Sequence, residues 1–378
     1  MRILVVSPDD LESGSGIASV VRFQRKLLEK KGHKIHIMCR NGDGALLYSK
    51  NSGILGTIPF WRKVTRYISS SGQEYDLVWL HSPLLLSGAW SDYHERAPVC
   101  MVTFHSTYLG LYQAFKKHGS TRLLPYYWVA SRLERIFLEK ATRKRALYDT
   151  AFVAVSPSVR EELRMNGLRR IIKVIPNGEC PNPKFQPSRA DVRERIREHY
   201  SVEITDDDHV LLYVGRLTEV KQPHLVANVF NSIAKHNDSL HLLLVGSGNL
   251  RRRLQEEFGN YSRIHFLGNI PHDDIWDFYF GADAFISLSC YEGNSVSVLE
   301  AISAKMPLIL SDIPAHRWII ESKIGKGMLV SSRNPAVSEI ARFLDSLRMG
   351  NPHFSERPLT WEKNCDQYLE SIQELVNG

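Results

Sequence analysis

Short runs of Val, Ile and Leu alternate with helix-forming stretches along the whole chain of 378 residues. Strands covered by helices on both faces have nearly continuous apolar sequences, and the intervening helices allow parallel pairing. The first half holds six such runs: Ile3–Ser7, Lys34–Cys39, Leu77–His81, Val99–Phe104, Ala151–Val155 and Lys173–Ile175. The second half holds six more: Val210–Val214, His241–Val245, Ile264–Leu267, Ala284–Leu288, Pro307–Leu310 and Met328–Val330. The pattern predicts an α/β fold with a doubly wound parallel sheet in each half.

The length of the chain fits two domains, and a proline-rich segment separates the two halves. Pro176–Arg189 contains four prolines and no strand pattern, so the linker is expected there. We predict an N-terminal domain over residues 1–180 and a C-terminal domain over residues 190–355. An amphipathic closing helix within residues 356–378 is expected to pack back on the N-terminal domain or to dock on the other one.

Composition excludes several protein classes. The five cysteines are scattered and form no CxxC pair, which argues against a structural zinc site and a disulfide framework, and favours a reducing, cytosolic setting. The start, MRILVVSPDD, has the pattern of a first strand and not of a signal peptide. No apolar run approaches the roughly 18–20 residues that span a bilayer. The expected location is the cytoplasm, with peripheral binding to the inner face of the cytoplasmic membrane as an extension.

Positive charge is concentrated in the segment Phe115–Arg145. Its net charge of +7 equals the excess of the whole chain, and it interleaves the basic residues with Tyr126, Tyr127 and Trp128. Basic and aromatic side chains together suit an anionic membrane surface. The alternative is a helix whose Leu133–Phe137 stripe, formed by Leu133, Ile136 and Phe137, packs on the core while its charges are solvated. No nucleic-acid-binding motif accompanies the charge.

A glycine-containing loop follows the first strand. Gly14 and Gly16 precede a helix predicted from Ile17 to Lys31, and glycines at such a turn let backbone amides approach an anion such as a phosphate. The spacing is not GxGxxG, because Ser19 stands where the third glycine would be. Dinucleotide binding is therefore disfavoured.

Four charged residues are predicted at the carboxyl edge of the second sheet. Arg216 and Lys221 follow the strand that ends at Val214, where ligands of open α/β sheets bind, and two cations there suit a diphosphate. Glu292 and Glu300 flank the start of a helix after a later strand, and carboxylates accept hydrogen bonds from sugar hydroxyls. Taken alone, the Arg–Lys pair is more typical of a solvated loop, and the two glutamates could equally be structural.

Two further polar features have alternatives that stay open. The triplet Asp206–Asp208 looks like a metal-binding DxD motif but precedes its strand, which favours a solvated turn. His81 ends a strand and could line an acceptor site, or serve as a core or capping histidine.

These residues resemble the retaining nucleotide-sugar glycosyltransferases of family 4 (glycosyl transferases group 1), which have the two-domain GT-B architecture with two Rossmann-like domains facing a central cleft. The resemblance covers essentially the whole chain. It rests on the order of the Gly16 loop, VCMVTFHSTY, VSPSVREEL, VIPNG, YVGRLTEVK, LLLVGSGNL, YEGNSVSVLEA and the closing helix.

The resemblance implies roles for individual side chains. Arg216 and Lys221 would bind the donor diphosphate, Glu300 the nucleotide ribose and Glu292 the hydroxyls of the donor sugar. His105 would lie beside the reacting centre, which gives a catalytic set of Glu292, His105, Lys221 and Arg216. His81 and Ser106 are the candidates for acceptor binding.

The donor-binding set also includes residues that act through small size or backbone groups. Gly16 would approach the phosphates or the sugar, and the loop Gly268–Pro271 would border the base. The remaining members of this set are Gly246, Ile270, Pro271, Gly293, Asn294, Ser295, Val296, Ser297 and Val298.

The sequence departs from the family pattern at two places near the donor sugar. Gln222 follows Lys221 where a glycine is common, and Asn294–Ser295 replace the more usual aromatic, proline or glycine. These departures put the identity of the sugar in doubt more than the activity.

The implied function is transfer of a sugar from a nucleotide diphosphate sugar, UDP favoured and GDP possible, to a glycan or lipid-linked acceptor in cell-surface polysaccharide or lipopolysaccharide synthesis. The resemblance implies a metal-independent reaction with no cofactor besides the co-substrate. No nucleic-acid partner is expected, because no nucleic-acid-binding motif accompanies the basic segment. The alternatives are a nucleotide-sugar epimerase of the same architecture, or a non-catalytic protein that binds a membrane or a partner.

Overall fold

The computed structural model describes most of the chain. The described residues are 1–9, 11, 15–39, 60, 63–64, 66–68, 70, 74–81, 99–118, 122–143, 150–178, 188–271, 274–347 and 360–377. Two units are distinct: the first combines Met1–Gly178 with Leu359–Gly378, and the second is Glu179–Pro358. Gly14 and residues 179–187 of the predicted linker lie outside the described residues.

The first unit is built on a six-stranded parallel sheet. Its strands are β1 (Arg2–Val6), β2 (Lys34–Met38), β3 (Leu77–His81), β4 (Val99–Phe104), β5 (Thr150–Ala154) and β6 (Ile172–Val174). Their order in the sheet is β2-β1-β3-β4-β5-β6. The helices described with them are α1 (Gly16–Lys30), α2 (Tyr108–His118), α3 (Leu124–Arg143) and α4 (Pro157–Met165).

The second unit repeats this plan. Its strands are β7 (His209–Val214), β8 (Leu240–Val245), β9 (Ile264–Gly268), β10 (Ala284–Ser287), β11 (Leu308–Ser311) and β12 (Gly327–Val330), arranged as β12-β11-β10-β7-β8-β9. Its helices are α5 (Arg189–Tyr200), α6 (Pro223–Ala234), α7 (Arg251–Phe258), α8 (Ile275–Gly281), α9 (Val296–Ser303), α10 (Pro314–Glu321) and α11 (Val337–Leu347).

The predicted fold class is confirmed: each unit has a parallel sheet between helices. All twelve predicted strands are present with ends within one residue of the prediction. Most strand residues are buried, because the helices cover both faces of the sheets and leave the apolar runs no exposed side. The first predicted helix is also present and begins at Gly16, where the Ser15 side chain caps it by accepting a hydrogen bond from the Ala18 amide at 3.1 Å.

The predicted Leu133–Phe137 stripe on α3 is wrong in part. Phe137 and Leu138 are buried, but Ile136 is 50% exposed. Successive helix residues point about 100° apart, so the face that buries Ala130, Phe137 and Leu138 turns Ile136 away from the core.

A closing helix, α12 (Trp361–Asn377), packs on the first unit. Trp361 is buried and stacks on Phe23 of α1 with ring centroids 5.2 Å apart, while Tyr368 packs on Trp79 of β3. Gly178 lies so close that an added Cβ would stand 2.6 Å from the Cα of Trp361. The last segment of the chain therefore completes the core of the first unit.

Replacing Trp361 tests this packing. Trp361→Ala is expected to lower the free energy of unfolding by about 3–5 kcal/mol, because it opens a cavity beside Phe23. Trp128→Ala is the matched control, since Trp128 is 47% exposed on α3. Urea denaturation followed by circular dichroism measures both, and equal midpoints for the two variants would contradict the assignment.

Candidate functional site

The order of strands in the second sheet reverses between β7 and β10. Strands β8 and β9 extend the sheet on one side of this pair, and β11 and β12 extend it on the other. A crevice forms at the carboxyl ends of the strands at such a reversal, because the loops that follow them diverge. Arg216 and Lys221 follow β7 and Glu292 follows β10, so all three lie at this edge.

Lys221 and Glu292 form an ion pair in the crevice. Lys221 Nζ donates to Glu292 Oε1 at 2.6 Å, and Glu292 is 9% exposed. Burial alone would raise the pKa of Glu292, but the positive charge of Lys221, with hydrogen bonds from Lys221 and Ser289, brings that pKa below its usual range. The sequence analysis expected both side chains at this edge of the sheet, and they are in contact there. Arg216 lies nearby in sequence and is exposed.

The turn that presents Lys221 explains the departure at Gln222. The amides of both residues donate to the Thr218 carbonyl, and Gln222 has φ +49°, a left-handed conformation that favours glycine. With its amide nitrogen turned inward, the Gln222 side chain donates to the carbonyls of Leu288 at 2.6 Å and Ser332 at 3.1 Å. These bonds offset the backbone strain and fasten the turn to the segments that follow β10 and β12.

The second carboxylate, Glu300, lies within α9 and is also buried. Tyr279 Oη of α8 donates to Glu300 Oε2 at 2.6 Å. The sequence analysis missed Tyr279, because a contact between two helices leaves no local pattern. Asn294 and Ser295 are buried just before α9, and Val296, Ser297 and Val298 form its first turn, where backbone amides lack partners within the helix.

Gly246 follows β8 and has φ +127°. A Cβ there would stand 2.1 Å from the Gly215 carbonyl oxygen, so close approach of two backbones at the carboxyl edge requires a glycine. After β9, Ile270 is half-buried and Pro271 is exposed. Gly293 is buried in the loop before α9. Contact of these residues with the donor stays a prediction.

The sequence analysis also missed His316, the third residue of α10. Its side chain is fully buried, and Nδ1 lies 3.0 Å from the Ser311 carbonyl and 3.1 Å from Ser311 Oγ. Ser311 Oγ in turn donates to the Ser289 carbonyl at 2.6 Å. Burial lowers the pKa of His316 to about 4, while the Glu292 charge acts in the opposite direction. The only feature of the sequence that could have pointed to His316 is that the segment SDIPAHR follows a strand of this sheet.

In the first unit, His81 and His105 form a buried pair at the ends of β3 and β4. His81 Nδ1 lies 2.9 Å from His105 Nε2, and the rings are stacked with centroids 5.2 Å apart. Burial lowers the pKa of both rings, that of His105 to about 4, so both are neutral near pH 7. His81 has no exposed surface and also stacks on Trp79, so it is a core histidine in this structure. Ser106 is half-buried.

The remaining first-unit candidate, Gly16, opens α1 and is exposed. The cap residue Ser15 also donates through Oγ to Asp9 Oδ2 at 2.6 Å, which links the helix start to the loop after β1. The Gly16 amide belongs to the first turn, where amides lack partners within the helix. A phosphate or sugar could approach it, and this role stays a prediction.

The triplet Asp206–Asp208 lies at the opposite edge of the second sheet from Lys221. It forms a turn before β7, in which Asp208 Oδ2 accepts hydrogen bonds from the amide and hydroxyl of Thr205. Asp206 and Asp208 line a cavity of about 300 Å³ with Arg189 and Asp283. Among the described residues, no group of three His, Cys, Asp or Glu side chains could hold a metal ion.

Two family models match the chain. The model of Glycosyltransferase Family 4 matches residues 14–178, and the model of Glycosyl transferases group 1 matches residues 194–349. The first match falls in the first unit and the second in the second unit.

Similar proteins include glycosyltransferases from bacteria and an archaeon. The uncharacterized glycosyltransferase MJ1607 of Methanocaldococcus jannaschii is 30% identical over 48% of this chain and 47% of its own length. The O-antigen biosynthesis glycosyltransferase WbnH of Escherichia coli is 39% identical over 32% of this chain and 33% of its own. The alpha-monoglucosyldiacylglycerol synthase of Streptococcus pneumoniae is 25% identical over 99% of this chain and 85% of its own. The matches to the first two thus span less than half of those proteins.

Solved structures share the fold across the chain. The sucrose-phosphate synthase of Thermosynechococcus elongatus has a TM-score of 0.72 and 19% identity, covering 99% of this chain and 94% of its own. The HepE protein of Anabaena, in complex with UDP and glucose, has a TM-score of 0.61 and 16% identity, covering 100% and 98% of the two chains.

Removing the cation from the buried pair tests its electrostatics. Lys221→Met is expected to lower the free energy of unfolding by about 3–5 kcal/mol at pH 8, because Glu292 is left buried without a counter-charge. The loss should shrink toward pH 5, because an unpaired buried carboxyl has a raised pKa and binds a proton more readily in the folded state.

The double variant Lys221→Met/Glu292→Gln should recover much of the loss, because no buried charge remains. Lys235→Met, which removes an exposed lysine, should be close to neutral. Urea denaturation at both pH values measures all four proteins, and a double variant no more stable than the single one at pH 8 would contradict the pairing.

Proposed function

This chain belongs to the GT-B glycosyltransferases of group 1 and family 4, and we propose that it transfers a sugar from a nucleotide diphosphate sugar to a glycan or lipid-linked acceptor. The observation that supports this most directly is the Lys221–Glu292 pair at the strand reversal of the second sheet. A cation and a carboxylate held together at such an edge match the two halves of a sugar diphosphate, which are an anion and a set of hydroxyl groups.

The proposed donor site uses charge in place of a metal. Arg216 and Lys221 bind the diphosphate, aided by the unpaired amides of the first turn of α9. Glu292 accepts hydrogen bonds from the sugar hydroxyls. Glu300, held by Tyr279, accepts them from the ribose. A UDP-sugar is favoured, since the neighbour HepE was solved with UDP, and a GDP-sugar is the alternative.

The proposed reaction retains the configuration at the transferred carbon. The acceptor attacks the face that the nucleotide leaves, and the departing phosphate takes the acceptor proton, so no protein base is required. The cations and amides stabilise the negative charge that builds on the diphosphate. His105 is neutral near pH 7 and can donate or accept a hydrogen bond without adding charge. The first unit, with Ser106 as a candidate contact, is proposed to bind the acceptor.

The acceptor class is inferred from relatives. WbnH is named for O-antigen biosynthesis, and the pneumococcal protein is named as a synthase of a glycolipid. Both names support a place in cell-surface polysaccharide, lipopolysaccharide or glycolipid synthesis.

The first test is binding followed by transfer. A rise in melting temperature with UDP, GDP or ADP sugars that persists in EDTA is expected, because ligands selective for the folded state stabilise it. Arg216→Ala and Lys221→Ala should each reduce transfer at least about 100-fold, the scale of losing one group that stabilises transition-state charge. The control variants Arg252→Ala and Lys235→Ala remove exposed cations of the same unit.

Full transfer activity in Arg216→Ala and Lys221→Ala, with both proteins folded, would overturn the proposed site. Product analysis without acceptor separates the second candidate reaction, because an epimerised donor sugar would indicate an epimerase. Absence of binding to every nucleotide would favour the alternative of a non-catalytic protein that binds a membrane or a partner.

We also propose that α3 binds an anionic membrane surface. Its outer face carries exposed Trp128, Val129 and Ile136 with exposed Arg132 and Arg135 among them. At 100° per residue these five positions fall on one face of the helix, opposite the buried Ala130 and Phe137. The Arg132 guanidinium lies 5.7 Å from the Trp128 ring centroid.

This face joins apolar side chains to cations, as binding at lipid headgroups requires. No described helix is long and apolar enough to cross a bilayer. Lys144 and Arg145, which belong to the same basic segment of the sequence, lie outside the described residues.

The membrane face is tested with vesicles. Trp128→Ser/Ile136→Ser should reduce sedimentation with phosphatidylglycerol vesicles at least about tenfold, since it removes apolar area that would enter the headgroup layer. Ile171→Ser is the matched control, because Ile171 is 86% exposed in the same unit but lies outside α3. Binding of the native protein should weaken in high salt. Equal losses in both variants, or binding that salt does not change, would refute the proposal.

A further inference from the structure

Among the described tyrosines of the second unit, two have almost no exposed surface, and both direct their hydroxyl groups to residues of the proposed donor site. Tyr213 and Tyr279 are each 1% exposed. Tyr279 Oη donates to the Glu300 carboxylate, whereas Tyr213 Oη donates to the backbone carbonyl of Arg216 at 3.0 Å. A phenylalanine would fill nearly the same space in the core, so the hydroxyl group of Tyr213 calls for a reason of its own.

The side chain of Arg216 has no partner that would hold it in place. It is exposed, and no described residue forms a hydrogen bond or an ion pair with its guanidinium group. An arginine side chain has several rotatable bonds, and fixing it in one conformation costs entropy. The position from which this guanidinium group can reach a ligand is therefore set by the backbone of Arg216.

The peptide group between Arg216 and Leu217 is held at both ends. Its carbonyl oxygen accepts hydrogen bonds from Tyr213 Oη at 3.0 Å and from the Thr218 amide at 2.9 Å. Its N–H group, which belongs to Leu217, donates to the Ser247 carbonyl at 2.9 Å. These three bonds fix the orientation of the peptide plane, and among them only the bond from Tyr213 comes from a side chain.

The Tyr213 hydroxyl also lies close to the residue before Arg216. A Cβ added at Gly215 would stand 3.2 Å from Tyr213 Oη, and the Gly215 amide donates to the Val245 carbonyl at 3.0 Å. Burial raises the pKa of Tyr213, so its hydroxyl keeps the hydrogen and remains a donor near pH 7. The turn after β7 thus rests on a neutral, buried hydroxyl group at the point where Arg216 leaves the sheet.

We propose that Tyr213 is a positioning residue for Arg216, because its hydrogen bond to the Arg216 carbonyl fixes the backbone from which the guanidinium group reaches the donor diphosphate. The inference rests on the proposed function, which assigns Arg216 to the diphosphate. Tyr213 is buried and does not itself touch the donor. Its effect on donor binding is therefore carried entirely by Arg216.

A double-mutant cycle tests whether the effect of Tyr213 passes through Arg216. Tyr213→Phe removes only the hydroxyl group, and the Arg216 carbonyl keeps the Thr218 amide as a donor, so no buried acceptor is left without a partner and the variant is expected to fold. Tyr200→Phe is the matched control, because it removes a hydroxyl group of the same unit that donates to Asp274 at 2.8 Å. Circular dichroism checks the folding of every variant.

Isothermal titration calorimetry measures the Kd of UDP or GDP, whichever gives the larger rise in melting temperature. Arg216→Ala should weaken binding at least about tenfold, the scale of one lost hydrogen bond to a charged group. Tyr213→Phe should weaken it about 3–10-fold, the scale of one lost neutral hydrogen bond. The double variant Tyr213→Phe/Arg216→Ala should bind within about twofold of Arg216→Ala, since nothing is left for Tyr213 to position. Tyr200→Phe should bind as the native protein does.

The outcomes distinguish this inference from the function beneath it. Weakening by Tyr213→Phe that persists at full size in the Arg216→Ala background would indicate a general loosening of the crevice and overturn the positioning role. Unchanged affinity of folded Tyr213→Phe, or equal weakening in Tyr200→Phe, would overturn it as well, and each of these results leaves the donor site intact. Absence of nucleotide binding by the native protein, or native affinity in Arg216→Ala, would overturn the proposed donor site itself, and this inference with it.

Discussion

When parallel strands are buried on both faces, polar side chains can cluster in few places. The main places are the edges of the sheet where the strands end. Each sheet of this protein is apolar along its strands, and its polar clusters lie where strands end. In the second unit, the reversal between β7 and β10 brings Lys221 and Glu292 to one point although 71 residues separate them. In the first unit the same constraint brings His81 and His105 together from neighbouring strands.

Much of this arrangement can be read from the sequence, because the rules involved are local. An apolar run of three to six residues identifies a strand, and the polar residue after it must lie at the carboxyl edge. Tyr279 and His316 could not be found in this way. Tyr279 contacts Glu300 and His316 contacts Ser311, and such contacts depend on how helices pack across the sheet. The exposure of Ile136 could not be predicted from the sequence either, because packing against the core decides which face of a helix is buried.

Gln222 illustrates how a departure from a family pattern can be compatible with the same geometry. A left-handed backbone costs a residue with a side chain roughly 1 kcal/mol relative to glycine. The Gln222 amide offsets this with bonds to the Leu288 and Ser332 carbonyls, which lie beside β10 and β12. Glycine would adopt the same turn without strain but could not fasten it. Gln222 in place of glycine therefore has a more strained backbone, but its side chain fixes the turn to the sheet next to Lys221.

The ion pair between Lys221 and Glu292 also bears on which ligands the site can accept. Separating a buried carboxylate from its cation costs several kcal/mol unless another partner is supplied to each. A free sugar offers hydroxyl groups to Glu292 but nothing that competes for Lys221, so it leaves the pair closed. A sugar diphosphate carries negative charge with which Lys221 can form an ion pair. It also has hydroxyl groups that can donate hydrogen bonds to Glu292. Under the proposed function, the Lys221–Glu292 ion pair thus discriminates between sugar diphosphates and free sugars before any chemistry occurs. Only the sugar diphosphate supplies new partners to both Lys221 and Glu292 when the ion pair separates.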